Sequence, residues 1–406
     1  MNHLQAEQSA RVSVTRNIFI ARGLRDFGDG FVAILLPVYL TALGLDAFAI
    51  GIVATLALLG SSLITLGIGL VGARRDLRDL LIAAAACMFV TGLVFAAVEA
   101  QWAIFLVAFV GTINPSSGSV SIFAPLEQSA LSRATPDAQR TKMFARYSLT
   151  GALAGAAGAF ASGSPDLLKL AGISQLASLQ IMFVIYALFG LAGGLIYARL
   201  PREPPAPEAR KQAALGPSRA IIYKLAALFS MDSFASGFAV QSLIALWLFR
   251  KFDVSLTTAG AIFFWMGIFS AFSFPVAAWL AARIGLINTM VYTHIPANLC
   301  LIFAAIAPNF EVAIALLMVR AALSQMDVPA RSSYVMAVVT PAERPAAASF
   351  TAVPRSLAAA LSPAMGGALF AAGYDALPLV ICGVLKTAYD LALLWTFRHV
   401  KPPEEQ

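Results

Sequence analysis

The chain has 406 residues, of which 59% are hydrophobic and only 12% are charged. Soluble domains carry about 25% charged residues, so this composition excludes an ordinary soluble protein and indicates a polytopic α-helical membrane protein. The formal net charge of +7 suggests a nucleic-acid partner at first sight. Membrane proteins, however, concentrate lysine and arginine in cytoplasmic loops, and we expect no nucleic-acid binding.

Twelve apolar segments follow one another along the chain, and most reach the roughly 20 residues that a transmembrane helix needs. The pattern predicts an all-α polytopic membrane protein with twelve transmembrane helices. The polar stretch 1–16 ahead of them shows no signal-peptide pattern, so we expect the first helix to act as the insertion signal. The predicted segments are 17–43, 47–72, 79–98, 102–130, 141–162, 176–198, 219–249, 258–281, 287–306, 311–339, 345–372 and 376–398.

Lysine and arginine are strongly biased toward one set of loops and tails, and the other set holds only Lys169, Arg250 and Lys251. The positive-inside rule therefore predicts that both termini lie in the cytoplasm. A proline-rich, charged stretch between segments 6 and 7 is typical of a semi-rigid linker. The predicted organisation is a cytoplasmic tail at 1–16, a six-helix bundle at 17–199, a cytoplasmic linker at 200–218, a second six-helix bundle at 219–398 and a cytoplasmic tail at 399–406.

The two halves contain an internal repeat, which is strongest around segments 4–5 and 10–11. The sequence Ala124-Pro125-Leu126-Glu127 corresponds to Val328-Pro329-Ala330-Arg331 in the second half. Each stretch is followed by a Thr-Pro pair and an arginine, once between Thr135 and Arg140 and again between Thr340 and Arg344. This repeat predicts two pseudo-symmetric six-helix bundles.

Twelve spans, a six-plus-six repeat and a central cytoplasmic linker resemble the major facilitator superfamily over essentially the whole chain. The loop from Gly72 to Arg78 keeps the glycine and basic residues of a family motif in altered order, and Ala282 stands where the matching loop often has aspartate. The stretch from Gln325 to Arg344 is similar to a widespread bacterial subgroup that is described only as transporters. The resemblance implies secondary active transport by alternating access, with substrate bound near the midplane between the halves.

A second family motif concerns the direction of transport. Family antiporters often carry a glycine-proline motif in the fifth helix. Here Gly151 and Gly155 are present without the proline, while the stretch from Pro363 to Gly367 in segment 11 looks like the second half of that motif. The resemblance gives a hint of efflux, although close helix packing requires the same small residues.

Acidic residues inside the spans are the candidates for proton coupling, because an ion at that depth is costly unless it faces a cavity or a partner. Asp26 and Asp29 lie in segment 1, and Asp232 lies at a similar depth in segment 7. A carboxyl group in a partly dry cavity can hold a proton. We predict that these three couple protons or contact substrate, with Asp29 preferred over Asp26 because it is deeper. The alternative for Asp26 and Asp29 is neutralisation by Arg22 and Arg25 at the cytoplasmic rim. The alternative for Asp232 is pairing with a neighbouring helix.

Arg320 in segment 10 and Arg355 in segment 11 lie deep in their spans without an acidic partner one turn away. An unpaired deep arginine favours an anion, so both are candidates for substrate or coupling contacts. Pairing with an acidic residue of another helix is the alternative. Lys386 and Asp390 are four residues apart in segment 12, and we expect them to neutralise each other.

Four further charges are predicted to act in gating near the cytoplasmic ends of their helices. Glu127 in segment 4 and Arg146 in segment 5 are expected to form a latch, or else a static pair. Asp327 and Arg331 are four residues apart in segment 10 and can pair along one helix face. The repeat places Arg331 at a position equivalent to that of Glu127, so the two halves bring opposite charges to an inner gate.

The sequence shows no nucleotide-binding glycine loop, nucleophile–base arrangement or metal-ligand cluster, and His294 stands alone in segment 9. We therefore expect no enzyme activity and no cofactor. The favoured function is proton-coupled efflux of a small organic compound by a monomer in a bacterial inner membrane. Uptake or exchange of an organic anion is the alternative within transport. A non-transporting membrane receptor or sensor is the alternative from another class.

Overall fold

The computed structural model describes residues 2–71, 75–116, 121–135, 137–202, 216–340 and 343–399. Several features of the sequence lie outside the described residues. They are residues 72–74 of the loop between segments 2 and 3, the prolines Pro136 and Pro341 of the repeat, residues 203–215 of the predicted linker and residues 400–406 of the predicted C-terminal tail.

The described residues form sixteen helices and no β-strand. A helix suits such apolar sequence in a membrane because it satisfies its own backbone hydrogen bonds. In chain order the helices are α1 (Asn2–Ala42), α2 (Ala47–Val71), α3 (Leu77–Ala97), α4 (Gln101–Val110), α5 (Phe123–Ala134), α6 (Asp137–Ala161), α7 (Ser164–Leu170), α8 (Gln175–Tyr197), α9 (Arg219–Gly237), α10 (Gln241–Phe252), α11 (Leu256–Ile284), α12 (Leu286–Ile306), α13 (Phe310–Leu323), α14 (Asp327–Ala337), α15 (Arg344–Ala371) and α16 (Leu377–Phe397).

The helices follow the predicted segments with three differences. Helix α1 begins at Asn2, so the polar stretch predicted as a tail continues the first helix. Segments 4, 7 and 10 are each divided into two helices, and the short helix α7 lies between segments 5 and 6. By length and composition alone, eight described helical stretches are able to cross a membrane, and two of these consist of two consecutive helices.

The break in the fourth segment begins at Gly111, where the backbone is extended. A Cβ at Gly111 would overlap the side chain of Thr91 on α3, so the chain turns here only with glycine. The Thr112 N–H donates to Oγ1 of Thr91 over 3.3 Å, and the Thr112 carbonyl accepts a bond from Tyr186 on α8. Non-helical backbone at membrane depth needs such partners, because no water is present to serve it.

The chain forms two compact units. Unit 1 contains Met1–Leu45, Leu56–Ala209 and Ser255–Phe264, and unit 2 contains Asp46–Thr55, Arg210–Val254 and Trp265–Gln406. The start of α2 is therefore grouped with the second half of the sequence, and the start of α11 is grouped with the first half.

In unit 1, α1 packs against α6 and α8, and α3 packs against α8. Glycines bring α1 and α6 together, because a Cβ on Gly30 would overlap the carbonyl group of Gly155 and a Cβ on Gly158 would overlap that of Phe27. The small residues of segment 5 therefore serve close helix packing in this structure.

In unit 2, α9 packs against α15 and α16, and α12 packs against α16, α13 and α14. The core between these helices includes Phe229, Tyr334, Tyr389 and Leu393, each at most 1% exposed. Large apolar side chains such as Trp395 are exposed on many helices. Such surfaces are expected where helices face lipid.

Candidate functional site

Five charged residues of unit 1 form one group, which we call the N-terminal charge cluster. It consists of Arg22, Arg25, Asp26 and Asp29 from α1 and Glu127 from α5. The spacing of the four α1 residues places them on one helix face. Arg22 is half-buried and the other four residues are buried. Their charges must therefore be satisfied largely by one another and by polar neighbours.

Glu127 is fully buried, pairs with one guanidinium group and accepts hydrogen bonds from two hydroxyl groups. A guanidinium nitrogen of Arg25 lies 2.9 Å from Oε1. The hydroxyl of Tyr147 on α6 donates to Oε2 over 2.5 Å, and the hydroxyl of Tyr197 on α8 donates to Oε1. Both carboxylate oxygens are occupied, so this one side chain connects α5 with three other helices. A buried charge is tolerated only with pairing of this quality.

Asp26 is held between two arginines of its own helix. A terminal guanidinium nitrogen of Arg22 lies 3.0 Å from Oδ2, and one of Arg25 lies 3.1 Å from Oδ1. The guanidinium of Arg22 also stacks over the ring of Tyr147 at 3.8 Å, and that of Arg25 lies 4.7 Å from the ring centre of Phe123. The structure therefore shows Asp26 paired with both arginines, as the alternative interpretation of the sequence expects.

Asp29 differs from the other carboxylates of the cluster. Its residue is 3% exposed, yet no lysine, arginine or histidine of the described residues lies within ion-pair distance. The Tyr186 hydroxyl lies 3.3 Å from Oδ1 of Asp29 and 3.2 Å from the carbonyl oxygen of Thr112 at the break in segment 4. One hydroxyl proton serves one acceptor at a time. Asp29 is therefore the least satisfied buried charge of the N-terminal charge cluster.

A second group, which we call the C-terminal charge cluster, lies in unit 2. It consists of Asp232 on α9, Asp327 and Arg331 on α14, and Lys386 on α16, all buried. Nζ of Lys386 lies 2.6 Å from Oδ1 of Asp232. NH1 of Arg331 lies 3.2 Å from Oδ2 of Asp232 and 3.2 Å from Oδ2 of Asp327. The predicted Asp327–Arg331 pair is confirmed, and two cations face two carboxylates across three helices.

A histidine–aspartate pair occupies the interface between α12 and α16. Nδ1 of His294 lies 2.9 Å from Oδ1 of Asp390, and the side-chain amide of Asn298 donates to Oδ2 over 2.9 Å. The predicted Lys386–Asp390 pair is wrong, because Lys386 contacts Asp232 instead. The partners of Asp390 lie on α12. Within the described ranges, no group of three or more histidine, cysteine or acidic residues is arranged to hold a metal ion.

Three predicted site residues stand apart from these pairs. Arg320 on α13 and Arg355 on α15 are half-buried, and neither has an acidic partner within ion-pair distance in the described part of the chain. Arg146 on α6 is exposed, and it is its neighbour Tyr147 that donates to Glu127. One residue along a helix turns the side chain by about 100°. The structure therefore replaces the predicted Glu127–Arg146 contact with a tyrosine one position away.

Several polar partners are not evident from the sequence, and His294, which stands alone in its segment, meets Asp390 of another helix. Buried tyrosine and asparagine normally find hydrogen-bond partners, so their positions in apolar spans were the only available signal. Spacing along one helix does not reveal which residue of another helix they meet. The missed partners are Tyr147, Tyr186, Tyr197, Thr112 and Asn298.

A family model described as Major Facilitator Superfamily matches residues 18–318 and 225–406. The chain belongs to the major facilitator superfamily. The predicted family resemblance and the predicted all-α polytopic membrane fold are confirmed.

Related proteins extend this result. A bacterial homologue of the human lysosomal transporter Spinster, in an inward-facing and unoccupied conformation, aligns with a TM-score of 0.74 at 15% identity, covering 96% of this chain and 98% of the other. The nucleoside transporter NupG aligns with a TM-score of 0.72 at 16% identity, covering 95% and 99%. An uncharacterized membrane protein of Saccharomyces cerevisiae is 24% identical over 413 residues, covering 93% of this chain and 92% of the relative.

Family membership and the shared fold support membrane transport as the function of this superfamily member. The two solved structures, at less than a fifth identity, share the fold with this chain.

Proposed function

We propose that this protein is a secondary active transporter that exports a small organic compound by alternating access and uses proton entry as the driving force. It works as a monomer in a bacterial inner membrane with both termini in the cytoplasm. The bias of lysine and arginine toward one set of loops supports this orientation. Family membership supports transport, and the proton is inferred from Asp29.

The observation that carries the proposal is the state of Asp29. An ionised carboxylate that is buried without a cation carries a cost of several kcal/mol. Binding a proton removes that charge and frees the hydroxyl of Tyr186 to donate to Thr112. A carboxyl group that is easier to neutralise than to pair is suited to picking up and releasing protons during transport. We assign the coupling proton to Asp29.

The other two candidate carboxylates have a different role. Asp26 lies within 3.1 Å of nitrogens of two arginines, and Asp232 lies within 3.2 Å of Lys386 and Arg331. Neutralising either would leave buried cations without a partner, which is costly. We propose that Asp26 and Asp232 set the local charge balance around the transport pathway, while Asp29 carries the proton.

Gating is assigned to the short helices that follow the breaks in segments 4 and 10. Helix α5 is held by the bonds of Glu127, and α14 is held to α9 by the ion pair of Arg331 with Asp232. A short helix can move as a body if its few strong contacts are exchanged. Arg146 is exposed on α6 next to Tyr147, and we propose that it takes part in gating at the protein surface.

A pH-gradient assay tests proton coupling before the transported compound is identified. A pH gradient is imposed across proteoliposomes, and ethidium, uridine or benzoate is added as a cationic, neutral or anionic probe. A pH-sensitive dye reports the loss of the gradient. We expect one probe class to dissipate the gradient through the wild-type protein. Asp375→Asn should behave like the wild type, because Asp375 pairs with Arg250 in a partly exposed position. A probe that is transported at a rate independent of the gradient would contradict the proposal.

Uptake or exchange of an organic anion is the second candidate, and a separate observation favours it. Arg320 and Arg355 are half-buried without an acidic partner among the described residues. A guanidinium in this state binds carboxylates well, because it offers paired donors. If benzoate is the active probe, Arg355→Ala should reduce its transport at least about tenfold, equivalent to about 1.4 kcal/mol. Benzoate transport that survives Arg355→Ala would remove this candidate.

A further inference from the structure

The His294–Asp390 pair lies beside the C-terminal charge cluster but is not part of its ion pairs. His294 and Asn298 are one turn apart on α12, and both reach Asp390 on α16. Asp390 is 0% exposed and His294 is 3% exposed. Each carboxylate oxygen has one nitrogen partner at 2.9 Å. A buried imidazole and a buried carboxylate at this distance form a defined site.

Charge balance shows what the site is able to bind. Among the described residues, no lysine or arginine lies within ion-pair distance of Asp390. The imidazole of His294 supplies a positive charge next to Asp390 only when it binds a proton. Its Nδ1 can donate to Asp390 in both the neutral and the cationic form, so a proton can enter at the other ring nitrogen without breaking the 2.9 Å contact.

We propose that His294 and Asp390 form a second proton-binding site of this protein, distinct from Asp29. The site offers one imidazole and one carboxylate, which is fewer ligands than a structural metal site normally has, so the ligand we assign is a proton. Its existence does not depend on the proposed function. Its use as a second coupling proton rests on that function.

The surroundings connect this site to the C-terminal charge cluster. On α16, Lys386 lies one turn before Asp390, and the ring of Tyr389 meets His294 edge to face at 6.3 Å. The other buried or half-buried charged groups of the packed helices are Asp232 on α9, Arg320 on α13, Asp327 and Arg331 on α14, and Arg355 on α15. Asp232 pairs directly with Lys386. A proton on the site therefore changes the field at the Lys386–Asp232 ion pair.

Histidine NMR tests the proposal directly, because the chain contains only three histidines. The full-length protein is labelled with ¹⁵N-histidine in lipid nanodiscs and titrated from about pH 5 to about pH 9. His294→Gln assigns the resonance. We expect the His294 resonance to titrate within this range. Asp390→Asn should move its midpoint down by about one pH unit or more, because the anion that stabilises the imidazolium is lost.

Two further variants keep the test decisive. Asn298→Ala removes a donor from Asp390 but keeps the pair, so the midpoint should move to higher pH. Asp375→Asn, a carboxylate change at a separate ion pair, should leave it unchanged. A resonance that shows no titration in this range, or an identical midpoint in Asp390→Asn and Asn298→Ala, would overturn the proposal. Because no substrate or gradient is used, this outcome is independent of whether Asp29 couples protons to transport.

Discussion

The two charge clusters use the same residue types but leave different groups unpaired. In the N-terminal charge cluster, two arginines face three carboxylates, and Asp29 is left without a cation. In the C-terminal charge cluster, a lysine and an arginine face two carboxylates, and unit 2 also contains two half-buried arginines, Arg320 and Arg355, that have no acidic partner among the described residues. A spare carboxylate suits a proton and a spare guanidinium suits an anion, and we therefore propose that the two units serve different ligands.

The largest effect on stability is expected at the centre of the N-terminal charge cluster. Glu127→Ala leaves the guanidinium of Arg25 and the hydroxyls of Tyr147 and Tyr197 without their shared acceptor. Breaking a buried pair by removing one partner costs about 3–5 kcal/mol. Unfolding by denaturing detergent in mixed micelles should report a loss of this size in the free energy of unfolding.

Glu99→Ala provides the matched control in the same unit, because Glu99 is exposed. Its effect on the free energy of unfolding should stay within about 0.5 kcal/mol. If Glu127→Ala were no more destabilising than Glu99→Ala, the bonds assigned to Glu127 would not hold α5 in place.

The next effect separates the paired carboxylates from the unpaired one. Asp232→Asn leaves Lys386 and Arg331 facing a neutral side chain and should lower the free energy of unfolding by about 3 kcal/mol. Asp29→Asn leaves no cation behind, so its cost should be below about 1 kcal/mol, or it should stabilise the protein. The same mixed-micelle unfolding measurement compares the two variants. Equal losses would mean that Asp29 has a cationic partner after all.

The smallest effect concerns a carboxylate outside the membrane spans. Glu343, just before α15, accepts bonds from the hydroxyls of Thr340 and Ser218 and from the N–H of Gly216. These bonds lower the pKa of Glu343 from its ordinary value of 4.5 to about 2, and the bond from Thr340 contributes most. The stabilisation is therefore fully present above about pH 4.5 and is lost as the pH falls toward about 2.

Acid unfolding followed by circular dichroism checks this prediction. Glu343→Gln should be less stable than the wild type near neutral pH, and the difference should shrink through this acidic range. A difference that is the same at neutral and acidic pH would show that the titration of Glu343 does not contribute to stability.

The sequence alone predicted the helical segments, because hydropathy and loop charge report directly on the membrane environment. It did not predict the break at Gly111, because the break lies inside an apolar stretch and depends on a contact with Thr91. The same holds for the start of α1 at Asn2, since polar residues can continue a helix beyond the bilayer.

For the candidate site, the sequence identified many of the buried charges but few of their partners. Pairs along one helix, such as Asp327 with Arg331, follow from the four-residue spacing. Pairs between helices depend on which faces meet. Lys386 satisfies this spacing with Asp390 but contacts Asp232 instead. His294 looked isolated in the sequence because its partner lies 96 residues away.

The most direct test of the account compares two kinds of transport in the Asp29→Asn variant. Proteoliposomes carrying the probe identified by gradient dissipation are assayed for exchange at equal pH on both sides and for transport driven by a pH gradient. We predict that exchange persists within about threefold while gradient-driven transport falls at least about tenfold, because substrate binding survives and the proton carrier is gone. Gradient-driven transport that continues at the wild-type rate in Asp29→Asn would contradict the account.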